Sequence, residues 1–236
     1  MGFLNKQKVI FLYFVFIASF CGIAFAQQIN VQKEDIYSKL KDRRCTMSLD
    51  KCDCPDAKEM KAYIDALLET GVAKDEIFYK VAKKFSLSSI IDKQIKTEVE
   101  KRLIKEVGAK RPQIISEPAS LNFGQISKRK GKINNVIKLY NKGNVDLIIS
   151  NLRVSCGCTS VSLAVGKNKS PYFGVAGAGK SWQEIIKPGK FGELEVVFDL
   201  NHSSMTIGKQ MREVFISSND PLYPESMISV EIELKE

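Results

Sequence analysis

Leu147-Ile148-Ile149-Ser150-Asn151-Leu152-Arg153-Val154-Ser155-Cys156-Gly157-Cys158-Thr159-Ser160-Val161-Ser162-Leu163-Ala164 decides the fold of the larger part of this chain. Two short apolar-rich runs, 147–154 and 159–164, flank a Cys-Gly-Cys step, and neither is long enough or spaced correctly for an amphipathic helix. Working outward, further strand patterns fall at 113–116, 120–126, 133–140, 191–199, 211–217 and 227–234. Turn chemistry separates them: Asn141-Lys142-Gly143-Asn144, Lys187-Pro188-Gly189 and Asn219-Asp220-Pro221. Seven or eight short strands with no helices between them predict an antiparallel β-sandwich. Residues 165–182, rich in Gly, Lys and Ser, read as an inserted loop with Trp182 as its anchor.

The Cys-Gly-Cys step leaves its chemistry open. In a straight strand, Cys156 and Cys158 would share one face with Cα atoms about 6.6 Å apart. That is the far edge of disulfide geometry, and Gly157 permits a bulge or turn that shortens the gap. A local staple, a redox pair and two buried thiols all fit. A soft-metal site fits less well, because no His is near in sequence and paired thiolates in an oxidising compartment tend to bond to each other.

Toward the N-terminus the pattern changes at Lys110-Arg111-Pro112, and residues 110–116 read as a linker. Helical periodicity precedes it. Pro55 to about Thr70 carries Met60, Ile64, Leu67 and Leu68 on one face, with Gly71 at the C-terminal cap. Lys74–Phe85 follows with Ile77, Val81 and Phe85, and a third helix, opened by Ser86 or Ser88, carries Ile91, Ile95, Val99 and Leu103 up to Gly108. Residues 45–109 are thus predicted to form a small three-helix bundle, after a loose or short-helical lead-in over 27–44. The fold class is α+β in separate domains, with the sandwich over 117–236.

The first of those helices begins against a cysteine cluster, Cys45, Cys52 and Cys54. Pro is favoured at the first helical position, which makes Cys54 the N-cap and sets its sulfur against unpaired N–H groups. A thiolate is stabilised there, so the Cys54 thiol is expected to ionise below the ordinary thiol range. Arg43, Arg44 and Lys51 push the same way and Asp50 and Asp53 the other.

Lys6 and Lys8 precede an apolar run from Val9 to Ala26 that ends in Ala24-Phe25-Ala26, a signal-peptide pattern over residues 1–26. The chain is therefore expected to be exported and periplasmic, membrane-associated only if that segment is retained. Cleavage would leave five cysteines, an odd number, in a compartment where pairing is the default. The net charge of +9 is spread over both parts without a dense cluster beyond Lys128-Arg129-Lys130, which excludes a nucleic-acid surface. His202, the single histidine, sits in a polar loop, and no phosphate-binding or dinucleotide motif is present. No cofactor and no metal is expected.

Two resemblances refine this. Cys52-Asp53-Cys54-Pro55-Asp56-Ala57-Lys58-Glu59-Met60, Ile64-Asp65-Ala66-Leu67-Leu68-Glu69-Thr70-Gly71, Lys74-Asp75-Glu76-Ile77 and Val81-Ala82-Lys83-Lys84-Phe85 resemble the N-terminal domain of the CcmH family, over about 43–92. Those are periplasmic cytochrome c maturation proteins with three helices and a redox-active cysteine pair. The usual Cys-x-x-Cys is not kept, since Ser48 holds the second position after Arg44-Cys45, leaving Cys52 or Cys54 as partners for Cys45. Leu121-Asn122-Phe123-Gly124-Gln125-Ile126, Asn141-Lys142-Gly143, Val154-Ser155-Cys156-Gly157-Cys158-Thr159, Pro188-Gly189 and Ser218-Asn219-Asp220-Pro221 resemble a bacterial domain family of unknown function, related to the Ig-like ASH/HYDIN modules. The first resemblance implies a thiol–disulfide protein assisting cytochrome c maturation. Its partners would be an apocytochrome c or other maturation proteins, with Cys45, Cys52 and Cys54 carrying the chemistry. The competing reading is a non-catalytic periplasmic binding or scaffold protein with structural cysteines.

Overall fold

The computed structural model describes residues 33–42, 47–179 and 181–236. The expected signal segment and Cys45 lie outside them. Short helices come first: α1 over 33–38, α2 Pro55–Glu69, α3 Lys74–Lys84 and α4 Lys93–Val107. Ten strands follow: β1 Ile114–Glu117, β2 Leu121–Ser127, β3 Lys132–Asn141, β4 Leu147–Val154, β5 Thr159–Val165, β6 Asn168–Lys169, β7 Glu184–Ile186, β8 Phe191–Asp199, β9 Gly208–Ser218 and β10 Glu225–Lys235. The chain divides into two compact units, one ending at Phe78 and one running from Tyr79 to Glu236, so the division falls inside α3. Among the described residues no helix is long and apolar enough to cross a membrane.

In the first unit, α2 buries Ala57, Met60, Ile64 and Leu68, the i, i+3/i+4 face its periodicity predicts. Leu67 is only half-buried, at the margin of that face. Lys33 and the Tyr37 hydroxyl both bond the Asp65 carboxylate, which fixes α1 to the middle of α2. The Leu49 N–H donates to the Leu40 carbonyl at 2.8 Å, drawing the segment after α1 alongside the segment that leads into α2.

In the second unit, α4 does not start at either serine. Asp92 caps it, accepting from the N–H groups of Gln94 and Ile95 at 2.9 and 3.0 Å. An ionised cap with two donors outcompetes a hydroxyl with one. Ser86 instead shapes a 3-10 turn over Leu87–Ser89, where its oxygen accepts from Ser88 N–H at 3.1 Å. Consequently Ile91 precedes the helix and is 43% exposed, while Val99 and Leu103 form the buried stripe.

The sandwich has two five-stranded sheets, ordered β1-β3-β8-β5-β6 and β2-β10-β9-β4-β7. All pairs are antiparallel except β2 with β10, where the chain's C-terminal strand is closed by an early one. Alternation along β8 sends Leu194, Val196 and Phe198 inward, and along β4 Leu147, Ile149, Leu152 and Val154. The inserted loop carries β6 and an isolated bridge from Phe173 to Val161, and Trp182 packs on Phe173 with ring centres 4.8 Å apart. The expected linker, 110–116, contains the start of β1 and is bonded to the sandwich before that strand begins. Arg111 N–H donates to Asn144 Oδ1 at 3.1 Å and Asn144 N–H to the Arg111 carbonyl at 3.2 Å.

Candidate thiol site

The start of α2 builds the site. Cys54 is extended, with φ −65° and ψ 163°, and its sulfur accepts from the Ala57 N–H at 3.4 Å, so Pro55 and Cys54 hold the N1 and N-cap places that the sequence predicts. Just before it, Leu49–Lys51 forms a 3-10 turn closed by Cys52 N–H on the Leu49 carbonyl. The turn folds Cys52 inward, to 3% exposure, while Cys54 stays half-buried.

Both sulfurs meet a residue that the cysteine motif does not announce. Asp42, 1% exposed, accepts from Cys52 Sγ–H at 3.2 Å and from Cys54 Sγ–H at 3.1 Å, through the same oxygen, Oδ2. Asp42 reaches them because the Leu40–Leu49 bond runs the two segments side by side. Its only sequence signal is its place at the end of the α1 lead-in, which says nothing of a thiol partner.

Burial, with the carboxylate adding to it, reverses the expected ionisation. The Cys54 thiol is raised above its ordinary value, not lowered. Burial is the largest cause; the Ala57 N–H opposes it, and the hydrogen bonds to Asp42 and Cys52 and the Asp42 charge add to it. One helix N–H does not outweigh desolvation and an adjacent anion. Of the charges invoked from sequence, Arg43 and Arg44 lie outside the described residues, and Asp53 is paired with Lys61 at 2.8 Å. The sulfurs of Cys52 and Cys54 and an Asp42 oxygen lie within 4.8 Å of one another, the one group among the described residues that could hold a metal ion. It is one ligand short of a structural zinc shell.

The second pair is bonded. Cys156 and Cys158 form a disulfide with Cα atoms 5.3 Å apart. The chain leaves the strand at Ser155 and re-enters it at Thr159, so the pair occupies a turn between β4 and β5, tighter than an extended strand allows. His202 is in a loop as expected, but its ring lies against this turn: a Cβ on Gly157 would stand 3.3 Å from Nε2.

A family model described as a protein of unknown function (DUF1573) matches residues 114–171, from β1 through β6. No curated protein matches the chain. Among solved structures, a protein of unknown function from Porphyromonas gingivalis W83 is 19% identical, with 53% of this chain and 48% of that one covered and a TM-score of 0.41. The E. coli chaperone DraB is 7% identical, over 52% of this chain and 56% of its own, at 0.34. The ASH/PapD-like domain of human CEP192 is 10% identical, over 54% and 87%, at 0.31. The chain spans about half the length of the first two. The Ig-like sandwich rests on strand order and register, and no activity comes across with these likenesses.

Proposed function

We propose that the chain is an exported thiol–disulfide exchange protein whose reactive module is the helical segment. Its substrate class would be the cysteine pair of an apocytochrome c, as the CcmH resemblance implies. One observation carries the reading: two cysteine thiols donate to a single oxygen of the buried Asp42 carboxylate. A staple needs no acceptor for S–H protons, whereas a dithiol that must persist in an oxidising compartment gains from one. In the exchange, the Cys54 thiolate attacks a substrate disulfide and displaces one substrate sulfur as thiolate. A second thiol of this chain, Cys52 or Cys45, then attacks Cys54 in the mixed disulfide and releases the other. Two electrons pass to the substrate and the chain's pair is oxidised.

Asp42 then sets the poise of the couple. Its two hydrogen bonds exist only with the reduced, protonated sulfurs, so they favour the dithiol. Each is worth about 0.5–1.5 kcal/mol, enough together to move the equilibrium about tenfold, near 30 mV for a two-electron couple. Asp42→Asn should therefore make the pair easier to oxidise. It should also speed alkylation of Cys54 near neutral pH severalfold, because the anion that holds the proton on the sulfur is gone. The wild-type rate should keep rising into the alkaline range, since the thiol titrates above its ordinary value. Both quantities can be read on the tryptic peptide Cys52–Lys58, which holds these two cysteines alone. A potential below about −300 mV, or an Asp42→Asn variant indistinguishable from wild type, overturns the proposal. The scaffold reading, with structural cysteines, then takes its place; the raised Cys54 thiol favours it, since a protonated sulfur is a poor nucleophile.

A further inference from the structure

The Cys156–Cys158 turn is met by side chains from 44 to 56 positions further along the chain, and they treat its two sulfurs differently. Cys158 is 1% exposed and Cys156 half-buried, so only the Cys156 sulfur is within reach of an incoming group. The inner sulfur faces a cation: Arg212 Nε–H donates to Cys158 Sγ at 3.2 Å, with the Thr159 hydroxyl 3.5 Å away. The remaining guanidinium nitrogens are anchored, Nη1 on the Met211 carbonyl at 2.7 Å and Nη2 on Gln210 Oε1 at 3.1 Å and the Ser204 carbonyl at 3.3 Å. The outer sulfur faces a neutral polar pair, and His202 Nδ1 accepts from the Ser204 N–H at 3.2 Å. Ser204 Oγ lies 3.1 Å from Cys156 Sγ and 2.9 Å from His202 Nδ1, and the Cys158 N–H donates to Cys156 Sγ at 3.3 Å.

We propose that Cys156 and Cys158 are a second dithiol–disulfide couple, with Cys156 the sulfur that exchanges and Cys158 the leaving thiolate held by Arg212. The substrate class is a peptide or protein dithiol. Its thiolate attacks Cys156 Sγ, the S–S bond breaks, and the electron pair goes to Cys158 Sγ. Buried thiolates are costly without a counter-charge, and the fixed Arg212 N–H supplies one where the charge appears. The second substrate thiol then attacks its own sulfur in the mixed disulfide, closing the substrate disulfide and expelling the Cys156 thiolate. That thiolate is protonated from solvent at its half-buried face, where the Ser204 hydroxyl, 3.1 Å away, can donate a hydrogen bond to it. Two electrons have moved from the dithiol to the pair. Of the two protons the dithiol gives up, one is taken up at Cys156 and the other stays in solvent, since Cys158 remains a thiolate beside Arg212. Gly157 fits this arrangement because a side chain there would displace the His202 ring.

This couple is independent of the helical site, and one digest separates the two. The tryptic peptide Val154–Lys167 carries Cys156 and Cys158 and no other cysteine. The native full chain is equilibrated in dithiothreitol redox buffers, quenched with acid, alkylated and mapped by mass, and a parallel sample receives a brief pulse of glutathione. The pair should be reduced without denaturant, and the glutathione adduct should fall on Cys156. Arg212→Gln should shift the equilibrium toward the disulfide about tenfold, near 30 mV, and Arg212→Lys should recover part of that shift, which a purely structural role would not do. A bond reduced only after unfolding, an adduct on Cys158, or an Arg212→Gln equilibrium equal to wild type would each overturn the proposal. If Arg212→Gln does not fold, the wild-type adduct alone decides it.

Discussion

Replacing Asp220 with Ala should lower the stability of the sandwich by about 3–5 kcal/mol, the cost of breaking a buried charged hydrogen-bond set from one side. Asp220 is fully buried, in the turn between β9 and β10. Its Oδ2 accepts from Ile114 N–H at 2.9 Å, across 106 positions of sequence, and its Oδ1 accepts from Leu222 N–H at 3.0 Å. The Arg111 guanidinium stands 3.9 Å from the same carboxylate. Alanine would leave two backbone donors and a half-sequestered cation without their acceptor, where water cannot follow. Asn keeps one acceptor oxygen and should cost about half as much. Trp182, the single tryptophan, packs in the sandwich, so its fluorescence in urea follows this part of the chain. A midpoint corresponding to a loss below about 1 kcal/mol would remove Asp220 from any structural role of this size.

Asp220 also marks what the sequence could and could not tell. Asn219-Asp220-Pro221 reads as a turn because Asx side chains bond their own backbone two residues on, and Asp220 does accept from Leu222 N–H. Nothing local says that its other oxygen would receive the first strand. Strands β4 and β8 occupy 147–154 and 191–199, the spans their apolar patterns predict: β8 buries every second residue, and β4 does so on either side of a register shift between Ile149 and Asn151. β6 and β7, of two and three residues, are too short to show a period, and each exists through pairing to a longer neighbour. The sites follow the same rule. Pro55 fixes Cys54 as the N-cap from sequence alone, since that is a local steric effect. The thiol's ionisation depends on its burial and then on Asp42, and the second pair on His202, Ser204 and Arg212, and no spacing rule reaches across the fold to find them.

Gly143→Ala should be the most damaging single methyl group in the sandwich. The glycine lies between β3 and β4 in the Asn141-Lys142-Gly143-Asn144 turn, where a Cβ would stand 2.2 Å from the Arg111 carbonyl oxygen, 2.7 Å from Gln113 N and 2.7 Å from the Pro112 carbonyl carbon. All three are backbone atoms, so no rotamer change relieves the overlap and one strand of chain must leave the other. What would be lost is a dense set of bonds. Fully buried Asn141 donates to the Val145 and Ile186 carbonyls at 2.7 and 2.9 Å and accepts from Gly143 N–H at 2.9 Å and Gln113 N–H at 3.4 Å. Asn144 Nδ2–H donates to the Ala109 carbonyl at 3.0 Å, and Lys142 N–H to the Gln113 carbonyl at 2.8 Å. Separating the turn from 109–113 opens several of these at about 1 kcal/mol each, which puts the loss at 3 kcal/mol or more. Because the turn grips the segment that reads as a linker, the same substitution should expose it: trypsin should cut Gly143→Ala at Lys110 at concentrations that leave wild type whole there. Arg111 is followed by Pro112 and is a poor site in either protein, so Lys110 is the bond to watch. A variant that melts with wild type and resists trypsin at Lys110 would mean that the turn absorbs the methyl group without letting go of 109–113, and that the close approach at Gly143 contributes little to the sandwich.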